Sequence, residues 1–157
     1  MSAPETEKQR TDRQLIELLN ELRVALPGAQ VLLAFLLTAP FQRRFAGTSH
    51  IERTVLYVGV LTTAAGVLFL MAPSVYHRIR WDEGGKADVV RVGHRLFLAG
   101  TGLLAVGLLC AVFVVSDFLV GPLVATIAVA GGLVLVAATW YALPLSRGRS
   151  PSIRRTE

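Results

Sequence analysis

Leu96-Phe-Leu-Ala-Gly-Thr-Gly-Leu-Leu-Ala-Val-Gly-Leu-Leu-Cys-Ala-Val-Phe-Val-Val-Ser116 decides the class of this protein. The stretch carries no charged side chain, and Thr101 is its only strongly polar interior residue. A buried helix of a water-soluble bundle keeps a polar stripe at a 3.6-residue period. No such stripe exists here, so the segment reads as a helix surrounded by lipid. Three further charge-free stretches run through residues 24–42, 54–76 and 118–146. About 20 apolar residues at about 1.5 Å rise each cross a hydrocarbon core of about 30 Å. The expected architecture is therefore an all-α, integral membrane four-helix bundle. Its spans are placed at 24–42, 54–73, 96–116 and 119–143, within one membrane domain over 11–145.

The composition agrees. Of 157 residues, 53% are hydrophobic and 17% charged, whereas soluble domains carry about 25% charged residues. Intrinsic disorder of the whole chain is excluded, because disordered chains are rich in charge and poor in apolar residues. A disulfide scaffold is excluded because there is a single cysteine, Cys110. The cysteine lies mid-span, where a thiol in apolar surroundings is inert.

Ahead of the first span the pattern changes. Leu15, Leu18, Leu19, Leu22 and Leu26 fall on one helical face, while Asp12, Arg13, Glu17, Asn20 and Glu21 take the other. An amphipathic interfacial helix over 12–26 is expected, capped by Thr11 or Asp12 and lying in the plane of the membrane surface. Residues 1–10 read as a disordered amino terminus without a signal-peptide core. Pro27 removes a backbone hydrogen bond, so a bend is expected where the surface helix enters the first span. The tail, 146–157, reads as basic and disordered.

Orientation follows from lysine and arginine, which remain on the cytoplasmic side. Lys8, Arg10, Arg13 and Arg23 precede the first span. Arg78, Arg80, Lys86, Arg91 and Arg95 flank the second loop, and Arg147, Arg149, Arg154 and Arg155 fill the tail. A multi-pass protein of the plasma membrane with both termini cytoplasmic is expected, its basic loop and tail attracting anionic lipid headgroups. Tyr57, Tyr76, Trp81, Trp140 and Tyr141 fall near span ends, as interfacial aromatic rings do. The net charge of +5 is a topological signal, and nucleic acid is not an expected partner, because the basic residues share no single soluble face.

Chemistry-bearing residues are few. Spans two to four lack Asp, Glu, Lys, Arg and His in their interiors, and ion pathways through membranes are marked by such residues. Span threonines can return a hydrogen bond to their own helix. Gln30, just past Pro27, could bond to a freed carbonyl or to another helix. A polar or ion site is conceivable at Glu17, Asn20, Glu21, Arg23 and Gln30. The plainer reading is a solvated face with Arg13 and Glu17 paired four residues apart. His77 and His94 flank the second loop and form a candidate pH-sensing or metal-binding pair. Their plainer role is interfacial anchoring. His50 lies at the other side of the membrane, so a three-histidine zinc site is not expected. Asp117 reads as a cap of the fourth helix.

Small residues supply packing. Gly93, Gly100 and Gly107 recur every seven positions, and Gly121, Ala125, Ala128 and Gly132 line one side of the fourth span. Close backbone approach at such residues drives helix association in lipid, within one chain or between copies.

The stretch Glu17-Leu-Leu-Asn-Glu-Leu-Arg-Val-Ala-Leu-Pro-Gly-Ala-Gln-Val-Leu-Leu-Ala-Phe-Leu-Leu-Thr-Ala-Pro-Phe41 resembles the opening signature of a family of small, mostly actinobacterial four-span membrane proteins of unknown function. Ala72-Pro-Ser-Val-Tyr-His-Arg78, Val92-Gly-His-Arg95 and the turn from Asp117 to Gly121 resemble its later landmarks. The family often has Asn where His94 stands. Some members carry an automatic sodium:proton antiporter label, against which the empty spans argue.

The expected role is an accessory or packing subunit acting through helix contacts, as a homo-oligomer or within a larger membrane complex. No enzymatic activity, cofactor or metal is expected: no nucleophile elbow, phosphate loop or Cys-x-x-Cys pair occurs. The rival expectation is a proton- or cation-handling transport component in which Glu17, Glu21 and Gln30 meet at a pore made by several copies.

Overall fold

A computed structural model describes residues 6–79 and 86–142. Among them there are four α-helices and no strand: α1 (Glu7–Thr38), α2 (His50–Ile79), α3 (Lys86–Leu119) and α4 (Pro122–Ala137). Each is long and apolar enough to cross a membrane, with candidate spans Ile16–Phe41, His50–Val75, Arg91–Leu119 and Pro122–Trp140. Four helices able to cross a membrane are thus present, the number expected.

α1 starts at Glu7 rather than near Asp12, because Thr6 and not Thr11 or Asp12 is its cap. The Gln9 backbone N–H donates to Thr6 Oγ1 at 3.4 Å, and the Thr6 N–H donates to Gln9 Oε1 at 2.9 Å. This reciprocal pair is the capping box, for which Thr-x-x-Gln is sufficient. The helix then continues through Pro27. Proline leaves only the Arg23 carbonyl without its intrahelical donor, so the surface segment and the first span form one helix with no break between them. Two short 3-10 turns, Ala39–Phe41 and Arg43–Gly47, lead to α2. A second capping box starts α2: Ser49 N–H donates to Glu52 Oε2 at 2.6 Å, and Glu52 N–H donates to Ser49 Oγ at 3.2 Å. Arg53 fastens the preceding turn by donating to Thr48 Oγ1 and to the Ala46 carbonyl.

Asp117 corrects another expectation. It lies inside the last turn of α3, not at the start of α4. Gly121 is the residue that turns the chain, with φ of 117°, a conformation open essentially to glycine alone. α4 has no side-chain cap, and Pro122 at its first position has no N–H in need of one. α4 ends in a π-helical turn, Ala138–Ala142.

The chain divides into two compact units, residues 1–111 and 112–157. In the first, α2 and α3 run antiparallel along a line of small residues. A Cβ built on Gly93 would meet Pro73 Cβ at 3.4 Å; on Gly100, the Gly66 carbonyl at 3.1 Å; on Gly107, the Gly59 carbonyl at 3.3 Å. α1 joins at both ends: Leu18 packs against Gly93, and Leu36 against Gly59. Leu18, Leu22, Ala29 and Leu36 make up the buried face of α1. The apolar side of the amphipathic segment is therefore covered by protein at Leu18 and Leu22, where a membrane surface was expected. The physical reason is the small residue at 93, which leaves room for Leu18 beside the α3 backbone.

In the second unit α4 is apolar all round, and Ala125 is its buried residue. Leu123, Ile127, Val134 and Leu135 are exposed, as lipid-facing side chains are.

Candidate functional site

α1 and α3 have 32 and 34 residues, or about 48 and 51 Å at 1.5 Å per residue, against a hydrocarbon core of about 30 Å. The surplus carries the charge. The amino-terminal part of α1 holds Glu17, Glu21 and Arg23, and the start of α3 holds Arg91, His94 and Arg95. Charged side chains at mid-bilayer are strongly disfavoured, so these turns belong at headgroup level and beyond.

At that end the two helices enclose a cleft of about 330 Å³, lined by Gln14, Glu17, Leu18, Glu21 and His94. The α1 residues follow the i, i+3, i+4, i+7 spacing of one helical face. His94 arrives from α3 because its neighbour Gly93 has no side chain: a Cβ there would stand 2.8 Å from Leu18 Cδ2. The floor is thus a leucine and the walls are two carboxylates, an amide and an imidazole, all exposed apart from Leu18. Carboxylate, amide and imidazole groups lining one open cleft can accept and donate hydrogen bonds to water or to a polar ligand.

The structure regroups the residues singled out from the sequence. Glu17 and Glu21 line the same cleft as His94, a residue of the other expected pair. Asn20 and Arg23 are exposed on α1 and do not line the cleft, and Gln30 is exposed farther along the same helix. His77 lies in the last turns of α2, but its side chain is outside the described residues, and the pairing of His77 with His94 goes with it. The loop 80–85 and the tail 143–157 are likewise outside the described residues, with Arg80 and the four tail arginines expected to meet anionic lipid, whereas Arg91 and Arg95 are exposed at the start of α3. His50 begins α2, with Nδ1 3.4 Å from Thr54 Oγ1. No grouping of three metal-ligating side chains occurs among the described residues.

Gly93, Gly100 and Gly107 are all buried against helices of the same chain. In α4, Ala125 is fully buried, Ala128 and Gly132 are half-buried, and Gly121 forms the turn.

Two features had escaped the sequence reading. Glu52 is buried at 8% exposure, and the Ser-x-x-Glu capping signature was present to find it. Thr63 is fully buried and its hydroxyl has no hydrogen-bond partner. Nothing in the sequence separates it from its neighbour Thr62.

No curated protein matches the chain, and neither does any solved structure. A family model does match, over residues 4–144. The chain belongs to that family, described as a family of unknown function (DUF6328).

Proposed function

We propose that this chain is an accessory, packing subunit of the plasma membrane that acts through helix contacts, with both termini in the cytoplasm. The observation that carries the reading is the nature of what is buried. Among the described residues the buried polar or charged side chains are Glu52 and Thr63. Glu52 is engaged with Ser49 at the start of α2, which leaves the described interior of the first unit to glycine, leucine, alanine, Pro73 and Thr63. Proton and ion pathways through a membrane are commonly marked by ionisable groups, whereas close helix packing is favoured by small ones. Its partners are lipid, anionic headgroups at the basic segments, and further copies or other membrane proteins. The test is intact-mass measurement after mild solubilisation of native membranes. A discrete, reproducible assembly larger than one chain is expected, and a chain released only as a monomer overturns the reading.

A second reading is favoured by one observation, the cleft of Glu17, Glu21 and His94. It makes the chain a proton- or cation-handling component whose site sits at the membrane boundary rather than at mid-span. In this form the site draws on His94 in place of Gln30. Reconstitution into vesicles with an entrapped pH-sensitive dye tests it. Flux that falls in Glu21→Gln supports this reading; equal flux in both proteins, or none, removes it.

A further inference from the structure

We propose that Thr63 is a two-position toggle that sets how closely α2 and α3 approach near mid-membrane. The starting point is an anomaly among otherwise satisfied threonines. Thr62 Oγ1 donates to the Val58 carbonyl at 2.9 Å, Thr101 to Phe97 at 3.0 Å, Thr126 to Pro122 at 2.8 Å and Thr139 to Leu135 at 2.8 Å. Each returns its proton to its own helix, four residues back. Thr63 does not, although it is fully buried near the middle of the span His50–Val75 and no water is at hand in lipid to serve it.

Its oxygen is aimed at α3. A Cβ built on Gly107 would overlap Thr63 Oγ1, so only a glycine hydrogen fits between them. The oxygen therefore accepts the Gly107 Cα–H, a weak contact typical of closely packed helices. The flanking positions repeat the arrangement with backbone carbonyls. The Gly100 carbonyl lies 3.0 Å from the Cβ position of Gly66, and the Gly66 carbonyl 3.1 Å from that of Gly100. Such contacts close the seam at both glycine pairs, and Thr63 supplies the one that has a rotatable bond.

The alternative position is defined by the same helix. Rotation about Cα–Cβ turns the hydroxyl towards the Gly59 carbonyl, four residues back, an acceptor that Thr62 Oγ1 already approaches at 3.2 Å. That carbonyl is the one lying 3.3 Å from the Cβ position of Gly107. The two arrangements compete: the hydroxyl either faces Gly107 with its proton unpaired, or pairs with Gly59 and leaves the methyl group or the Cβ hydrogen against α3. Satisfying the proton is coupled to the fit of the seam, and this coupling makes the pair of helices bistable rather than rigid. The inference is independent of either functional reading.

The experiment uses the full chain in lipid nanodiscs with methyl-labelled threonine, the Thr63 χ1 distribution being read by NMR. Two exchanging rotamers are expected in the parent. Gly107→Ala, whose methyl takes the place of the oxygen, is expected to shift the ratio at least tenfold towards the position bonded to Gly59. A single rotamer in the parent, or a distribution unmoved by Gly107→Ala, overturns the proposal. If Gly107→Ala does not fold, a second readout replaces it. A Cβ at Gly59 would stand 2.9 Å from Cys110 Cβ, and Cys110 is the only cysteine. That separation is shorter than the about 3.5–4.5 Å of a disulfide, so disulfide formation in Gly59→Cys, driven by an added oxidant, reports the looser position of the seam. Thr63→Ala, with no hydroxyl to move, is expected to slow it several-fold, and an unchanged rate overturns the toggle.

Discussion

α3 passes through two environments, and its glycines differ accordingly. Around Gly100 and Gly107 it lies against α2 so closely that an added methyl group would have to displace a neighbour, and no charged side chain is present there. Around Gly93 it meets Leu18 of α1, yet the next residue, His94, opens onto a cleft with Glu17 and Glu21. One helix thus supplies a closed, apolar seam at mid-membrane and an open, titratable edge at the boundary. Small residues serve both regions, but only at the edge does water allow charged groups to stay charged. Structural and chemical roles are segregated along the helix axis by the medium.

The strongest way to break this comparison is to add bulk at the seam. Gly107→Val is expected to cost about 3 kcal/mol in a detergent unfolding titration, because its Cβ would overlap the Thr63 hydroxyl. A stability equal to the parent would show that the seam is not closed.

Next comes the contrast between leucines buried in different media. Leu22 is 2% exposed at the charged end and Leu36 is 0% exposed within the span. Leu22→Ala is expected to lose about 2 kcal/mol or more, since it sacrifices both burial from water and packing. Leu36→Ala should lose less, because lipid is as apolar as the interior it replaces. Equal losses in the same titration would place both residues in one medium.

A smaller effect is expected at the far end of α2. Ser49→Ala removes one half of the Ser49–Glu52 capping box and should cost about 1 kcal/mol, read by the same titration and accompanied by faster amide exchange in the first turn of α2.

Gly102 sharpens the comparison with the opposite sign. It lies on α3 between Gly100 and Gly107, with nothing within 4 Å of a built Cβ. Gly102→Ala should stabilise by about 0.5–1 kcal/mol through helix propensity alone. The smallest change is expected at the edge: Glu21→Gln and His94→Gln should each leave stability within about 0.5 kcal/mol of the parent, whatever they do to flux. A larger loss would make the cleft a structural device.

Much of this was legible beforehand, for reasons that differ by residue. The spans could be read because a missing charge over 20 residues is a long-range statistical fact that no local accident imitates. Gly93, Gly100 and Gly107 could be read as packing residues because a seven-residue period keeps them on one side of a helix. Which helix they face could not, since periodicity along one element says nothing about its neighbour. The extent of α1 was misjudged for a local reason. Leucine periodicity begins at Leu15, whereas the helix begins with the Thr6–Gln9 box, whose signal lies in polar residues outside that period. Asp117 was misplaced because Gly121 and Pro122 set the start of α4 by backbone conformation, which a capping side chain was not needed to provide.

Composition and periodicity therefore determined that this chain is helical, that it has four segments able to cross a membrane, and where charge is concentrated along it. Those are properties of single segments, set by hydrogen bonding in an apolar medium and by the cost of charge within it. The tertiary structure alone decided that His94 lines one cleft with Glu17 and Glu21, that Leu18 and Leu22 are covered by protein, and that Thr63 but not Thr62 is left without a partner. Each of these depends on which faces of different helices meet, and that depends on the summed fit of many side chains that lie far apart in the chain.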